Sequence, residues 1–136
     1  MKFKILPIAG DASFRKFYRV IFDRKSKIIV ICKKEKYKNL IVYSAINKFL
    51  NQNKILTPKL YTFDYKNGVI AIEDFGDKSF YKVLLKTKNK FLIYKKLVDL
   101  LIKIQKIKVK QKIKTFKNEF YKIEKYTKKN LIKESD

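Results

Sequence analysis

The first third of the chain alternates between short runs of apolar, β-branched or aromatic residues and short polar breaks. This pattern predicts three strands, at residues 2–8, 14–22 and 27–32, because such side chains fit a pleated, half-buried surface. Polar or small turn-forming residues separate the three runs. The stretch Ile28-Ile29-Val30-Ile31 is apolar without interruption, which is typical of a strand buried on both faces. We therefore expect a three-stranded antiparallel meander.

The period of the apolar positions then changes to that of a helix. Val42, Ile46, Phe49 and Leu50 recur at helical spacing and predict a helix over residues 37–53, with Asn39 as its N-cap. Two further β-rich runs, residues 59–65 and 69–73, flank an Asn-Gly pair. Asn-Gly is the strongest short-range hairpin signal, because both residues tolerate a positive φ.

The second half of the chain is predicted to be helical. A short helix is expected at residues 79–86, and a longer one at 91–107, whose stripe of Tyr94, Leu97, Val98, Leu101 and Ile104 is expected to belong to a core. Residues 108–114 form a charged connection, and residues 116–132 are expected to form a last amphipathic helix. The predicted fold class is α+β, a five-stranded antiparallel sheet with one packed helix and a helical tail.

The 136 residues carry a formal net charge of +23, which has two explanations. One is an electrostatic footprint for nucleic acid. The other is biased codon usage, since the dominant residues Lys, Ile, Asn, Tyr and Phe all have A/T-rich codons. Only Arg15, Arg19 and Arg24 represent arginine, the residue that reads bases and phosphates bidentately. This composition favours codon bias, and a nucleic-acid partner is not expected.

Histidine is absent, which excludes a His-based general base, a Ser-His or Cys-His pair and a His metal site. Cys32 is the only cysteine, so an internal disulfide is excluded. No apolar run approaches the ~20 residues that span a bilayer, and no signal peptide is predicted at the N-terminus. From these features we expect a soluble, cytoplasmic protein with no membrane partner.

Four strings, in the same order along the chain, resemble the aminoglycoside phosphotransferase superfamily. The most specific is similar to the phosphate loop of the bacterial cell-wall-recycling kinases of N-acetylmuramate and N-acetylglucosamine: Ile8-Ala9-Gly10-Asp11-Ala12-Ser13-Phe14-Arg15-Lys16-Phe17-Tyr18-Arg19-Val20. The other three resemble the segment entering the fourth strand, the end of the fifth strand with the hinge, and the helix that follows, and they lie at residues 57–60, 70–77 and 97–105. The order of elements is also similar to the N-terminal lobe of protein-kinase-like enzymes.

The resemblance implies an ATP-binding lobe at residues 1–77 and, at 78–136, the start of a second lobe. It also implies nucleotide-binding residues, namely Gly10, Asp11, Ala12, Ser13 and Phe14 in the phosphate loop, Lys33 (or its rival Lys34) after the third strand, and Glu73, Asp74 and Phe75 at the hinge. Phosphate binding by Gly10–Ser13 needs backbone N–H groups and the Ser13 hydroxyl to point at the phosphates, whereas an ordinary hairpin turn needs only small residues. Asp74-Phe75-Gly76 spells the magnesium motif of protein kinases, but it directly follows the fifth strand, where the resemblance implies a hinge contacting adenine.

The sequence also departs from the family. The resemblance implies a glutamate on the helix after the third strand, but no acidic residue occurs between Lys36 and Phe63. The His-x-Asp catalytic loop and the magnesium ligands are not encoded, so we expect a truncated lobe that binds ATP but has no kinase activity alone. A sugar substrate is expected only if a second lobe is present. The alternatives are a basic nucleic-acid-binding domain, and a degenerate kinase remnant that binds a partner through Phe116, Phe120 and Ile123.

Overall fold

Five strands form one antiparallel sheet in the computed structural model, which describes residues 3–8, 14–109 and 112–123. The strands are β1 (Phe3–Ile8), β2 (Arg15–Phe22), β3 (Lys25–Cys32), β4 (Leu60–Asp64) and β5 (Val69–Glu73). Their spatial order is β1-β2-β3-β5-β4, and every neighbouring pair is antiparallel. The α+β class and the five-stranded antiparallel sheet are therefore confirmed.

A single helix, α1 (Lys38–Gln52), lies between β3 and β4 in the sequence and buries its apolar side against the sheet. Leu40 and Ile41 pack with alternate residues of β3 and β5, including Val30 and Ile70, and these residues form the core of the protein. Burial of such large aliphatic side chains contributes roughly 1.5–3 kcal/mol each. The helix and the sheet are thus held together mainly by this one apolar layer.

The expected N-cap of α1 was wrong. The helix begins one residue before Asn39, after a 3-10 turn at Lys34–Lys36, and Tyr37 occupies the N-cap position without a side-chain hydrogen bond. Asn39 instead donates from Nδ2 to the carbonyl of Lys36 at 3.1 Å. Tyr37 has right-handed helical backbone angles, so the chain passes from the 3-10 turn into α1 without the extended residue that a capping side chain usually accompanies.

The prediction that β3 is buried on both faces was also wrong. Ile28 and Val30 are buried, whereas Ile29 is only half-buried and Ile31 is 37% exposed. A continuous apolar run predicts cover on both sides, but in this sheet only one face has a helix packed on it.

The hairpins β2–β3 and β4–β5 are both present, and their turns differ in length. Asp23 and Arg24 both have positive φ, 43° and 63°, and make a two-residue connection between β2 and β3. The Asn-Gly hairpin instead has a 3-10 turn at Tyr65–Asn67, closed by Gly68 with φ of 69°. Asp64 accepts a hydrogen bond from the Asn67 N–H at 3.2 Å, which stabilises this longer loop.

Two helices follow the sheet, α2 (Phe80–Lys86) and α3 (Lys90–Gln105), close to their predicted positions. Ser79 caps α2 by accepting a hydrogen bond from the N–H of Lys82. Neither helix has a buried residue. The expectation that the α3 stripe belongs to a core was therefore wrong, since Leu101, for example, is 59% exposed.

A second, two-stranded sheet replaces the first part of the helix predicted at residues 116–132. Its strands are β6 (Lys112–Lys114) and β7 (Phe120–Lys122). The turn between them is closed by a hydrogen bond from Thr115 N–H to Glu119 O at 2.8 Å, and Asn118 adopts a φ of 62°. The prediction was wrong for residues 116–123 because this turn interrupts the apolar stripe, and residues 124–132 lie outside the described part.

Candidate functional site

The face of the five-stranded sheet that points away from α1 remains largely apolar. Neighbouring residues of a strand point to opposite faces, so burial of Ile28 and Val30 against α1 directs Ile29 to the other side. Ile5 and Val20 lie directly opposite each other in β1 and β2 and belong to the same face as Ile29. We term this surface, defined by Ile5, Val20 and Ile29, the open face.

An open pocket of about 420 Å³ lies on the open face. Aromatic and aliphatic side chains together with two lysines and a serine line it: Phe3, Val20, Phe22, Lys25, Ser26, Lys27 and Tyr61. Its volume falls within the ~300–1,000 Å³ range of small-molecule sites. The apolar part of this lining suits a flat apolar ligand.

Glu73, at the end of β5, lies beside this pocket. It pairs with Lys27 in the register, so its side chain leaves the sheet on the open face. Its Oε2 accepts a hydrogen bond from the Lys59 N–H at 3.0 Å, and its own N–H donates to the Lys59 carbonyl at 2.8 Å. The backbone at the exit of β5 is therefore tied to the segment that enters β4.

Asp74 turns to the opposite side of the sheet and pairs with Arg19 of β2. Arg19 Nε donates to Asp74 Oδ2 at 2.6 Å, and a second guanidinium nitrogen donates to Oδ1 at 3.0 Å. A third bond reaches Asp77 Oδ2 at 2.9 Å. The planar fork of arginine matches a carboxylate in this bidentate way, which a lysine cannot do. Arg19 thus clamps the segment that follows β5 onto β2.

The pKa of Asp74 reflects this clamp. Burial of its side chain, which is only 4% exposed, acts to raise the pKa. The hydrogen bonds from Arg19, Ser26 and the Gly76 N–H favour the carboxylate and outweigh burial, so the pKa of Asp74 lies below its ordinary value. Asp74 is therefore a carboxylate with a structural role.

Phe75 and Gly76 complete the segment after β5. The Gly76 N–H donates to Asp74 Oδ1 at 2.8 Å, and Gly76 has a φ of 73°, which favours glycine. The Phe75 side chain is exposed. Of the three residues expected at the hinge, Glu73 adjoins the open face, Asp74 is held by Arg19, and Phe75 faces solvent.

The other group of expected residues lies at the opposite end of β3. Arg15 pairs with Cys32, which places Phe14 and Lys33 near the same strand end. The Phe14 ring is exposed and lies 5.8 Å from the Nζ of Lys36, and Lys33 is exposed as well. Gly10, Asp11, Ala12 and Ser13 lie outside the described residues, and so does the side chain of Lys34.

Gly68 packs closely against this strand end. The N–H of Cys32 donates to the Gly68 carbonyl at 2.9 Å. A Cβ on Gly68 would lie 2.5 Å from the Cys32 carbonyl oxygen, so only glycine fits there. Burial raises the pKa of the Cys32 thiol, which makes it a core side chain with little thiolate character.

The two groups of expected residues are separated along the sheet. Glu73 pairs with Lys27, whereas Arg15 pairs with Cys32, five residues further along β3 and hence about 17 Å away. The structure therefore brings Phe14 and Lys33 to one end, and Glu73 to the other. No acidic residue occurs in the sequence of α1, so this helix offers no carboxylate to Lys33.

Asp74 and Asp77 share one guanidinium, which engages both oxygens of Asp74 and one of Asp77. Within the described ranges, no group of three or more His, Cys, Asp or Glu residues is arranged to hold a metal ion. A cation between these two aspartates would have to displace Arg19. The acidic segment after β5 is thus an ion-pair network in this structure.

Arg19 is the residue that sequence reasoning missed. The resemblance placed it at the end of a phosphate-loop string, and its role in the ion pair with Asp74 was not anticipated. The rarity of arginine could have indicated the role of Arg19, since lysine occupies almost every other cationic position. An arginine retained in a lysine-rich chain favours a site that needs a bidentate donor.

No protein-family model and no curated protein matches this chain. In the described part of the chain, no helix has the length and apolar character required to cross a bilayer.

Proposed function

We propose that this chain is the nucleotide-binding part of an ATP-dependent small-molecule phosphotransferase of the aminoglycoside phosphotransferase type. The observation that carries the proposal is the apolar pocket on the open face, next to the strand exit at Glu73. A purine is flat and apolar on both faces, and its polar edge suits backbone groups such as those at the exit of a strand. The succession of three strands, one helix and two strands in one sheet supports the same proposal.

In this proposal the adenine ring would lie against Val20 and Tyr61, and the backbone of Asp74 and Phe75, directly after Glu73, would meet its polar edge. Lys33, which follows the strand that borders the open face, would approach the phosphates from the other end of the sheet. The loop Gly10–Ser13 would cover the phosphates. ATP would bring the transferable phosphoryl group, and magnesium ligands are not assigned to this chain.

The experiment is a nucleotide titration of the full 136-residue protein, followed by backbone amide chemical shifts. We expect ATP to shift the amides of Val20, Lys27 and Glu73. Val20→Glu should weaken binding at least about tenfold, because it places a carboxylate in the apolar pocket, where it is costly to desolvate. Leu56→Glu is the matched control, since Leu56 is exposed and does not line the pocket.

The net charge of +23 makes one control essential, because any polyphosphate will be attracted to this protein. Tripolyphosphate carries the charge of ATP without the purine, and adenosine carries the purine without the charge. We expect adenosine to shift the amides of Val20 and Tyr61, which belong to the apolar lining, and tripolyphosphate to leave them in place. Equal shifts of Val20 and Tyr61 by tripolyphosphate would contradict a purine site.

A second measurement tests the limit of the proposed activity. Purified protein is incubated with ATP, magnesium and N-acetylmuramate or N-acetylglucosamine, and sugar phosphate is measured. We expect none, because the sequence contains no histidine for the usual catalytic loop and α1 offers no carboxylate to Lys33. Magnesium-dependent sugar phosphorylation by the pure protein would contradict this expectation.

A further inference from the structure

Lysine occupies every second position from Lys106 to Lys114, with mostly apolar residues between them. A period of two places alternate side chains on one face of an extended chain. In β6 this puts Lys112 and Lys114 on the outer face, while Ile113 between them is buried. The strand therefore has an apolar inner side and a cationic outer side.

The partner strand extends the cationic side. In the register of β6 with β7, Lys122 lies directly opposite Lys112, and Phe120 lies directly opposite Lys114. Like charges that face each other across a strand pair are destabilising, so folding alone does not favour this arrangement. Phe120 is 65% exposed, which leaves a large aromatic ring in solvent among three lysines.

A groove of about 260 Å³ runs between α1 and β6 and gathers further lysines. Lys48 from α1 and Lys108 line it together with Lys112 and Lys114, and no acidic residue is among the described residues that line it. The groove beside α2 is different, because Asp77 lies there with its lysines. We define the lysine patch as Lys48, Lys108, Lys112, Lys114, Lys122 and Phe120.

Biased codon usage accounts for the number of lysines but not for this placement. The placement that points to a ligand is the groove itself, where four lysines line one surface and no described lining residue is acidic. The scarcity of arginine argues against readout of base edges, which relies on a bidentate fork. It does not argue against phosphate binding, for which lysine serves as a point charge.

We propose that the lysine patch binds the phosphodiester backbone of single-stranded nucleic acid, with the Phe120 ring stacked on a base. Single-strand binding combines a cationic groove along the backbone with exposed aromatic rings that stack on bases without regard to sequence. An exposed ring opposite Lys114 suits a single strand, whose bases are free to stack, better than a duplex, whose bases are already stacked and paired. This inference is independent of the proposed nucleotide site, which lies on the open face of the other sheet.

The test measures binding of a fluorescent oligothymidylate of about 16 nucleotides, the upper end of the site sizes of single-strand-binding domains. The variant K112Q/K114Q/K122Q is compared with K78Q/K82Q/K86Q, which removes the same charge from the α2 region. Each phosphate contact contributes about 0.7 to the slope of log affinity against log salt. Loss of three contacts should therefore lower affinity about 100-fold at 0.1 M salt and reduce the slope by about 2. The α2 variant should lose less than about threefold.

The aromatic contribution is tested separately. Phe120→Ala should weaken binding about tenfold with an unchanged salt slope, because stacking does not release counterions. Phe91→Ala on α3 is its control, since the Phe91 ring is 71% exposed but lies outside the patch. A loss in F91A equal to that in F120A would overturn the role assigned to Phe120.

Circular dichroism melting checks that each variant folds. Crosslinking of the unaltered protein tests the same proposal without any substitution, so its result does not depend on the folding of a variant. Ultraviolet crosslinking to a bromouridine-containing oligonucleotide should map to Phe120. Crosslinks confined to α2 and α3 would overturn the proposal, and so would equal losses of affinity in the two lysine variants. The proposal would also fail if polyglutamate displaced the labelled oligonucleotide as well as the unlabelled oligonucleotide does. The last outcome would instead indicate an acidic polypeptide partner.

Discussion

The helices α1 and α3 show the same sequence signal and have opposite environments. Both are 15 or 16 residues long, with apolar side chains at helical spacing. α1 buries Leu40, Ile41 and Ala45 among other residues, whereas α3 buries none. Periodicity therefore locates a helix and its apolar side, whereas burial of that side depends on whether another element of the chain packs against it. The sheet supplies a partner for α1, and no described element covers α3.

The largest expected effect contrasts the two helices directly. Leu40→Ala should lower the free energy of unfolding by about 3 kcal/mol, because the Leu40 side chain is fully buried and its removal leaves a cavity in the core. Leu101→Ala on α3 should change it by less than about 0.5 kcal/mol, as for other exposed positions. Urea denaturation followed by circular dichroism measures both. A comparable loss in the two variants would mean that α3 is covered in solution, for example by self-association.

The next largest effect compares two glycines that have similar φ values but different surroundings, Gly68 in the turn between β4 and β5 and Gly76 after the sheet. Gly68→Ala should destabilise by about 2–3 kcal/mol, because the left-handed φ is strained and the new methyl group meets the Cys32 carbonyl. Gly76→Ala, after the sheet, has nothing within 4 Å of its Cβ and should cost about 1 kcal/mol from the backbone alone. Thermal melting of both variants distinguishes them. Equal costs would show that the close approach to Cys32 relaxes easily.

The third prediction concerns how stability depends on pH, and it compares Asp74 at the end of the sheet with Asp99 on α3. Because the pKa of Asp74 is lowered by folding, its contribution is complete above its unfolded pKa of about 3.9 and is lost as the pH falls through the lower folded value. Asp74→Asn should therefore be less stable than the parent protein at pH 7, and the gap should narrow below about pH 4. Asp99→Asn, on exposed α3, is the control and should differ little from the parent at any pH. A gap for Asp74→Asn that persists unchanged at pH 2 would contradict the role assigned to the Arg19 pair.

The smallest effect concerns the helical half alone. Ser79→Ala removes the side-chain cap of α2 and should reduce its local stability by about 1 kcal/mol. Hydrogen exchange of α2 amides should accelerate, while the amides of β3 and β5 keep their protection, since no buried residue links α2 to the core. Faster exchange throughout the sheet would show that the two regions unfold together.

The sequence was informative where local pattern and tertiary contact agree. β5 spans the predicted residues, and β1, β2, α1, α2 and α3 begin and end close to their predicted positions. The sequence was less informative about the detailed geometry of the turns. The Asn-Gly pair predicted the hairpin of β4 and β5, which is present, but only Gly68 of the two has a positive φ, and Asp64 stabilises the turn through Asn67. The two-residue turn with positive φ at both positions occurs instead at Asp23 and Arg24.

The candidate site was predictable only in part. The position of Glu73 at the end of a strand followed from the hairpin pattern, because strand ends can be placed by turn residues. The pocket on the open face could not be predicted, since it is lined by β1, β2, β3 and β4 together. The ion pair of Arg19 with Asp74 joins residues 55 positions apart, and no local signal specifies such a partner.

Local pattern and composition were enough to place the five strands of the main sheet and the three helices, and they fix the charge of the protein and its lack of histidine. Residues 116–123 are the exception, since their pattern predicts a helix and the structure has a turn and β7. Three features could not be read from any single segment: which apolar faces are covered, where Arg19 finds its carboxylates, and where the lysines of α1 and β6 meet in one groove. Those outcomes depend on contacts between segments distant in the chain, which the pattern of any one segment cannot specify.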